Sequence, residues 1–98
     1  MTEICERYQR RLREELPLLA ARYGVASLGL FGSYLHGTQR PDSDLDVLVS
    51  FQEAPSLLRF IELENYLSDR LGVKVDLVLR DSLKPRIGEH VLQEVVPV

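Results

Sequence analysis

Two short segments of apolar and β-branched residues, 45–51 and 74–79, constrain the fold of this chain most strongly. Residues of this kind are typical of buried strands. One segment of helical periodicity joins them; it begins at Pro55 or Ser56 and ends at Gly72. A strand, a helix and a second strand in this order predict a crossover connection, in which the two strands are parallel and adjacent.

A long helix is predicted over residues 3–23, where apolar side chains recur at steps of three and four residues. Thr2 is suited to cap its start, and Gly24 stands where a helix-ending glycine is expected. Pro17 lies inside this segment, and an interior proline removes a backbone hydrogen bond. We therefore expect a bend or a break near residues 15–17.

The predicted elements alternate along the whole chain. Besides those above, they are a strand at 25–31, a short helical turn at 33–37 and a last helix from about 85 to 95, for which Asp81 or Ser82 is expected to be the cap. The resulting order, α-β-α-β-α-β-α, predicts an α/β fold in which helices pack on a small mixed sheet of three or more strands. The direction of the first strand relative to the second stays open at this point.

The composition is that of one domain over residues 1–98, with 45% hydrophobic and 28% charged residues. No apolar run reaches the ~20 residues of a membrane span, and the charged N-terminus lacks the apolar core of a signal peptide. Cys5 is the only cysteine, which excludes an intrachain disulfide. These features predict a cytoplasmic protein without a membrane partner, and the net charge of −3 argues against broad nucleic-acid binding.

Three aspartates are the strongest candidates for catalytic and metal-binding residues. Asp44 and Asp46 are two positions apart at the start of the strand 45–51, so they project from the same face. The two carboxylates repel each other, and Mg²⁺ or Mn²⁺ would relieve the repulsion, because these ions prefer oxygen ligands. Asp76 lies in the apolar strand 74–79, where a buried and unpaired carboxylate would be costly. Beside the pair, it would complete a site for two metal ions.

Gly32 and Ser33 predict a phosphate-binding turn. They end a strand and begin a helical turn, so glycine would allow close backbone approach while the serine hydroxyl and the helical amides donate to phosphate. A Gly-Ser pair alone has little specificity. Its spacing of ten residues from Asp44-x-Asp46, with Asp76 one helix and one strand later, makes the combination far more specific.

The pattern Gly32-Ser33, ten residues, Asp44-x-Asp46 resembles the signature of the DNA polymerase β-like nucleotidyltransferase superfamily. The chain is most similar to the minimal nucleotidyltransferases (MNT), and the resemblance covers nearly all of it. The resemblance implies a polymerase β-like catalytic core in which Ser33 contacts the triphosphate of the nucleotide. It also implies that Asp44 and Asp46 hold the metal ions, and that Asp76 is the third carboxylate and the base toward the acceptor hydroxyl.

The resemblance further implies an activity and a partner. Members of this size commonly act as antitoxins paired with a HEPN toxin, which is a helical ribonuclease. By this resemblance the chain is a Mg²⁺-dependent protein adenylyltransferase that transfers AMP from ATP to a tyrosine of that toxin, within a complex of the two proteins. Two alternatives stay open: an antitoxin that neutralises the toxin only by binding it, and a nucleotidyltransferase with an RNA or small-molecule acceptor.

The chain has two histidines, and one of them departs from the pattern of the family. Many relatives carry Arg-Gly after the Gly-Ser turn, whereas this chain has His36-Gly37, so phosphate contact there is expected to be weaker or pH-dependent. Arg40 is either a substitute for the missing arginine or a solvated loop residue. No feature of the sequence places His36 and His90 together, so we do not expect them to share a metal ion.

The aspartates also have two simpler explanations. Residues 42–46 resemble the start of a calcium-binding EF-hand loop, with Glu53 at the twelfth position, but Val47 stands where that loop needs glycine. Alternatively, the segment is simply a turn that enters a strand. That turn leaves Asp46 and Asp76 unexplained, because both lie inside apolar strands.

Overall fold

Helices and strands alternate in the structure in nearly the predicted order. The computed structural model describes residues 2–98. In chain order its elements are α1 (Glu3–Tyr23), β1 (Val25–Phe31), α2 (Ser33–His36), β2 (Leu45–Phe51), α3 (Leu57–Leu71), β3 (Val75–Leu79), a 3₁₀ turn (Arg80–Ser82), α4 (Pro85–Glu94) and β4 (Val96–Pro97). The 3₁₀ turn and β4 are additions to the predicted order. Among residues 2–98, no helix is long and apolar enough to cross a membrane.

The strands form one mixed sheet in the order β3-β2-β1-β4. β2 and β3 are parallel neighbours, which confirms the predicted crossover. β1 runs antiparallel to both β2 and β4, and this answers the question of direction that the sequence left open. β4 pairs Val96 with Leu30 and Pro97 with Gly29 at the edge of the sheet, where proline is tolerated. The predicted α/β fold with a small mixed sheet is therefore confirmed.

One face of the sheet carries the hydrophobic core, and the other carries the aspartates. Side chains alternate between the two faces, and the paired residues Leu30, Val47 and Leu77 belong to the core, which α1 and α3 cover. Asp46 and Asp76 therefore lie on the opposite, more open face. Fully buried core residues include Leu12, Leu19, Leu63 and Leu67 from the helices and Leu45, Val49 and Val75 from the strands.

α1 follows its predicted bounds and caps. The Thr2 hydroxyl accepts a hydrogen bond from the Cys5 amide at 3.2 Å, and Gly24 ends the helix in a left-handed conformation with φ +71°. Of the bend or break expected near residues 15–17, the break is wrong, because α1 continues through Pro17. Pro17 is exposed, so the carbonyl of Arg13, which loses its helical partner, can be hydrated. Burial of the apolar face then outweighs one missing hydrogen bond.

The start of α4 also differs from the prediction. Neither Asp81 nor Ser82 caps this helix, because both belong to the 3₁₀ turn that follows β3. The Ser82 hydroxyl donates to the Leu79 carbonyl at 2.8 Å within that turn. α4 begins at Pro85, and the preceding Lys84 makes no side-chain cap. Proline has no backbone N–H, so the first turn of α4 has one donor fewer to satisfy.

Candidate functional site

The parallel register of β2 and β3 places Asp46 directly beside Asp76. Asp44 immediately precedes β2 and is two positions from Asp46, so the three carboxylates belong to one corner of the open face. The structure thus brings Asp46 and Asp76 together, as the strand pairing predicts. Leu45–Phe51 is a strand, which excludes the EF-hand loop as the explanation of these residues.

Asp46 has the most perturbed carboxyl group of this corner. Its pKa is raised to about 6, first by burial and then by the negative charges of Asp76 and Asp44. Without a cation, Asp46 therefore holds a proton up to about pH 6. A divalent cation would remove this repulsion and displace the proton.

Asp76 is exposed, although it lies in an apolar strand, so the cost of a buried and unpaired carboxylate does not arise. Its neighbours Val75 and Leu77 are buried in the core, whereas Asp76 lies on the face that α1 and α3 do not cover. The segment that follows α4 covers a different part of that face, where Val95 packs against Gly29. Water can therefore solvate Asp76, and its position in an apolar strand carries no desolvation cost. The same exposure leaves its carboxylate accessible to a second molecule.

Gly32 brings the Gly-Ser turn against the carboxylate of Asp46. Its backbone has φ +83°, a value that residues with a side chain disfavour. A Cβ atom at this position would collide with the Asp46 oxygen Oδ2. Both the backbone and the available space therefore require glycine. Ser33, the first residue of α2, directly follows this contact and is half-buried.

Glu94 is a component of this corner that sequence reasoning missed. Its Oε1 atom accepts a hydrogen bond from the Gly32 amide at 3.0 Å. Its Oε2 atom lies 3.3 Å from His36 Nε2 and 3.7 Å from His90 Nε2. Both histidines approach this carboxylate, a proximity that no feature of the sequence indicates. The hydrogen bond from Gly32 is the main cause that holds the pKa of Glu94 below its usual value.

The pairing of β1 with β4 explains where Glu94 lies. Leu30 opposes Val96 in this antiparallel pair, and continuing the register by two residues puts Gly32 opposite Glu94. The position of Glu94 opposite Gly32 can be recognised only once the pairing of β4 with β1 is known. A two-residue strand that contains proline has no periodicity from which it could be predicted.

The donor atoms at this corner suit a hard divalent cation. Asp44, Asp46 and Asp76 offer carboxylate oxygens, which Mg²⁺ and Mn²⁺ prefer, and none of the charges that shift the pKa of Asp46 is positive. Among residues 2–98, no three acidic, histidine or cysteine side chains converge closely enough to hold a metal ion by themselves. Phosphate oxygens and water would complete the coordination, as they commonly do around Mg²⁺.

A family model described as a nucleotidyltransferase domain matches residues 9–97. The chain belongs to this family of nucleotidyltransferases. The matched range includes the Gly-Ser turn, the three aspartates and Glu94, so the whole corner described above lies inside the family domain.

Three similar proteins indicate which members of the family this chain resembles. Protein adenylyltransferase MntA of Thermococcus cleftensis is 56% identical to this nucleotidyltransferase over 80 residues, which cover 82% of this chain and 81% of the relative. A solved structure assigned as a minimal nucleotidyltransferase is 40% identical, with coverage of 99% and 97% and a TM-score of 0.78. A toxin–antitoxin structure with AMP-PNP is 27% identical, with coverage of 86% and 69% and a TM-score of 0.70. The predicted similarity to the minimal nucleotidyltransferases is confirmed.

Proposed function

We propose that this nucleotidyltransferase transfers AMP from ATP to a tyrosine hydroxyl of a HEPN ribonuclease toxin and thereby acts as its antitoxin in the cytoplasm. The observation that carries the proposal is the contact between Gly32 and Asp46, directly beside Asp76. This contact brings the Gly32–Ser33 turn, which we assign to the phosphates of ATP, next to an exposed carboxylate, which we assign to the acceptor. The names of the similar proteins, a protein adenylyltransferase and a toxin–antitoxin complex with AMP-PNP, support a protein acceptor.

The triphosphate of ATP would lie at the Gly-Ser turn. The Ser33 hydroxyl donates to a phosphate oxygen, and Gly32 leaves room for the backbone to approach. Asp44, Asp46 and Asp76 would hold Mg²⁺. When bound, this ion would neutralise negative charge on the phosphates. The half-buried position of Asp46 anchors this arrangement to the sheet.

The transfer step needs a base and an in-line approach of the acceptor. Asp76 takes the proton of the tyrosine hydroxyl as its oxygen attacks the α-phosphorus of ATP. A bond forms between the tyrosine oxygen and the α-phosphorus, the bond from that phosphorus to the oxygen bridging the β-phosphate breaks, and pyrophosphate leaves. The exposure of Asp76 suits this role, because the acceptor belongs to a second protein.

The test compares the wild-type chain with the double variant Asp44→Asn/Asp46→Asn in cells that produce the co-encoded HEPN toxin. Wild-type protein should restore growth, and toxin recovered from its complex should carry AMP on a tyrosine. The double variant should fold and bind the toxin but fail to restore growth, whereas Asp69→Asn, on the exposed surface of α3, should behave like wild type. Restored growth with the double variant would indicate a non-catalytic antitoxin and would overturn the proposal.

A further inference from the structure

Two carboxylates contact Gly32 through different atoms. A Cβ on Gly32 would collide with the side chain of Asp46, whereas the Gly32 amide donates to Glu94 Oε1 at 3.0 Å. Glu94 therefore holds the turn at the point where the turn meets Asp46. A hydrogen bond from an amide to an ionised carboxylate is stronger than one between neutral groups.

Glu94 also contacts the far end of α2, the short helix that begins at this turn. Gly32 precedes the first residue of α2, and His36 is the last residue of that helix. The Glu94 carboxylate thus contacts both ends, through the Gly32 amide and through His36 Nε2 at 3.3 Å. The side chain of Glu94 is 21% exposed, compared with 54% for His36. Water competes little for the glutamate, which favours the bond to the Gly32 amide.

The sheet holds Glu94 itself in place. Val96, two residues later, pairs with Leu30 of β1, and the intervening Val95 packs against Gly29. The Val98 amide extends this pairing through a hydrogen bond of 2.9 Å to the carbonyl of β1 residue Leu28. The backbone after Glu94 is therefore anchored to the strand that leads into the turn. A carboxylate on an anchored backbone can determine the position of the turn.

We propose that Glu94 is a positioning residue for nucleotide transfer: it holds the Gly32–Ser33 turn against Asp46, so that the Ser33 hydroxyl meets the triphosphate at a fixed place. The effect on ATP rests on the proposed function, whereas the effect on the turn rests on geometry alone. A displacement of about 1 Å at such a turn is enough to reduce a transfer rate about 100-fold. Glu94 acts through the turn and is not assigned a contact with the reacting atoms.

Two substitutions separate the hydrogen bond from the rest of the side chain. Glu94→Ala removes the acceptor, whereas Glu94→Gln keeps an oxygen that can accept from the Gly32 amide. We expect Glu94→Ala to raise the Kd for ATP with Mg²⁺ about 10-fold and to lower AMP transfer about 100-fold. Glu94→Gln keeps a weaker, neutral bond, so it should lose clearly less than Glu94→Ala in both measurements. The matched control Glu89→Ala, at an exposed position of the same helix, should behave like wild type.

The Gly32 amide provides a readout that does not depend on catalysis. Its resonance in a two-dimensional amide NMR spectrum should move upfield in folded Glu94→Ala and stay near the wild-type position in Glu94→Gln. An unchanged resonance in Glu94→Ala would overturn the proposal, and so would equal loss of ATP affinity in both variants. If wild-type protein transfers no AMP but the resonance shifts as expected, the proposed function fails and the action of Glu94 on the turn is supported.

Discussion

Asp46 and Asp76 stand directly opposite each other in the parallel pair β2–β3, on the face of the sheet that α1 and α3 leave open. Asp46 is half-buried and has a pKa raised to about 6, whereas Asp76 is exposed. Two neighbouring carboxylates thus occupy different environments. The difference suits the two proposed roles, in which Asp46 holds a cation and Asp76 faces the acceptor.

Replacing Asp46 with asparagine should stabilise the metal-free protein. The pKa of this carboxyl group is about 6 in the folded chain, compared with a usual value of 3.8. The folded state therefore binds the proton more tightly, and ionisation destabilises it increasingly from about pH 4 to pH 6, with the full effect above pH 6. In EDTA at about pH 8, we expect Asp46→Asn to raise Tm by about 4–8 °C, a value that allows for partial solvent screening.

The same Tm measurement near pH 4 provides the internal control, because Asp46 is then protonated in the folded state and Asp46→Asn should give little gain. Asp69→Asn, at an exposed position of α3, controls for the loss of one negative charge and should change Tm little at either pH. A gain of equal size at both pH values would contradict repulsion and burial as its cause.

Binding of a divalent cation to the protein alone should weaken as the pH falls through about 6. The cation needs the ionised form of Asp46, and protons compete for this carboxylate below its pKa. The apparent affinity for Mn²⁺ should be level above about pH 7 and fall about tenfold per pH unit well below pH 6. Electron paramagnetic resonance measures free Mn²⁺ directly; an affinity that stays constant down to about pH 5 would exclude Asp46 as a ligand.

Alanine at Gly32 should abolish transfer, because its Cβ would collide with Asp46. Gly72 offers a matched control: its φ of +69° is close to the +83° of Gly32, but a Cβ there meets nothing within 4 Å. Both variants should lose about 1–3 kcal/mol of unfolding free energy in urea titrations, with Gly32→Ala the more affected. Only Gly32→Ala should lose AMP transfer. If Gly72→Ala and Gly32→Ala lost equal activity, backbone strain rather than the collision with Asp46 would be the cause.

Asp76→Asn should lower AMP transfer about 100-fold or more while leaving stability within about 0.5 kcal/mol of wild type. The exposure of Asp76 explains the small effect on stability, and its proposed role as base explains the loss of activity. Asp81→Asn, at an exposed position just after β3, is the control and should be fully active. Thermal unfolding and transfer assays on the same samples check both expectations; wild-type rates in Asp76→Asn would exclude this residue as the base.

The meeting of Asp46 with Asp76 could be predicted from the sequence because it follows from a general rule. Two apolar segments joined by one helix form parallel neighbours, and each aspartate is the second residue of its strand. The spacing of Gly32-Ser33 from Asp44-x-Asp46 pointed to the same corner. Local pattern and chain topology were sufficient for this part of the site.

The exposure of Asp76 and the contact of Glu94 with Gly32 could not be predicted in this way. Exposure depends on how much of the open face the segment after α4 covers, which is a property of the packed structure. Glu94 reaches Gly32 only because Val96 pairs with Leu30, and a strand of two residues leaves no periodic pattern. The long-range pairing of such short segments therefore could not be predicted from local sequence patterns.

AMP transfer is tested most directly by following the phosphorus atoms of ATP. The wild-type chain is incubated with Mg²⁺, the proposed HEPN partner and ATP that carries a radioactive label at either the α- or the γ-phosphate. We expect the α-label on a tyrosine of the partner and no γ-label, because pyrophosphate is the leaving group. Transfer of the γ-label, or of neither label when both proteins are folded and in complex, would contradict adenylyl transfer by this chain.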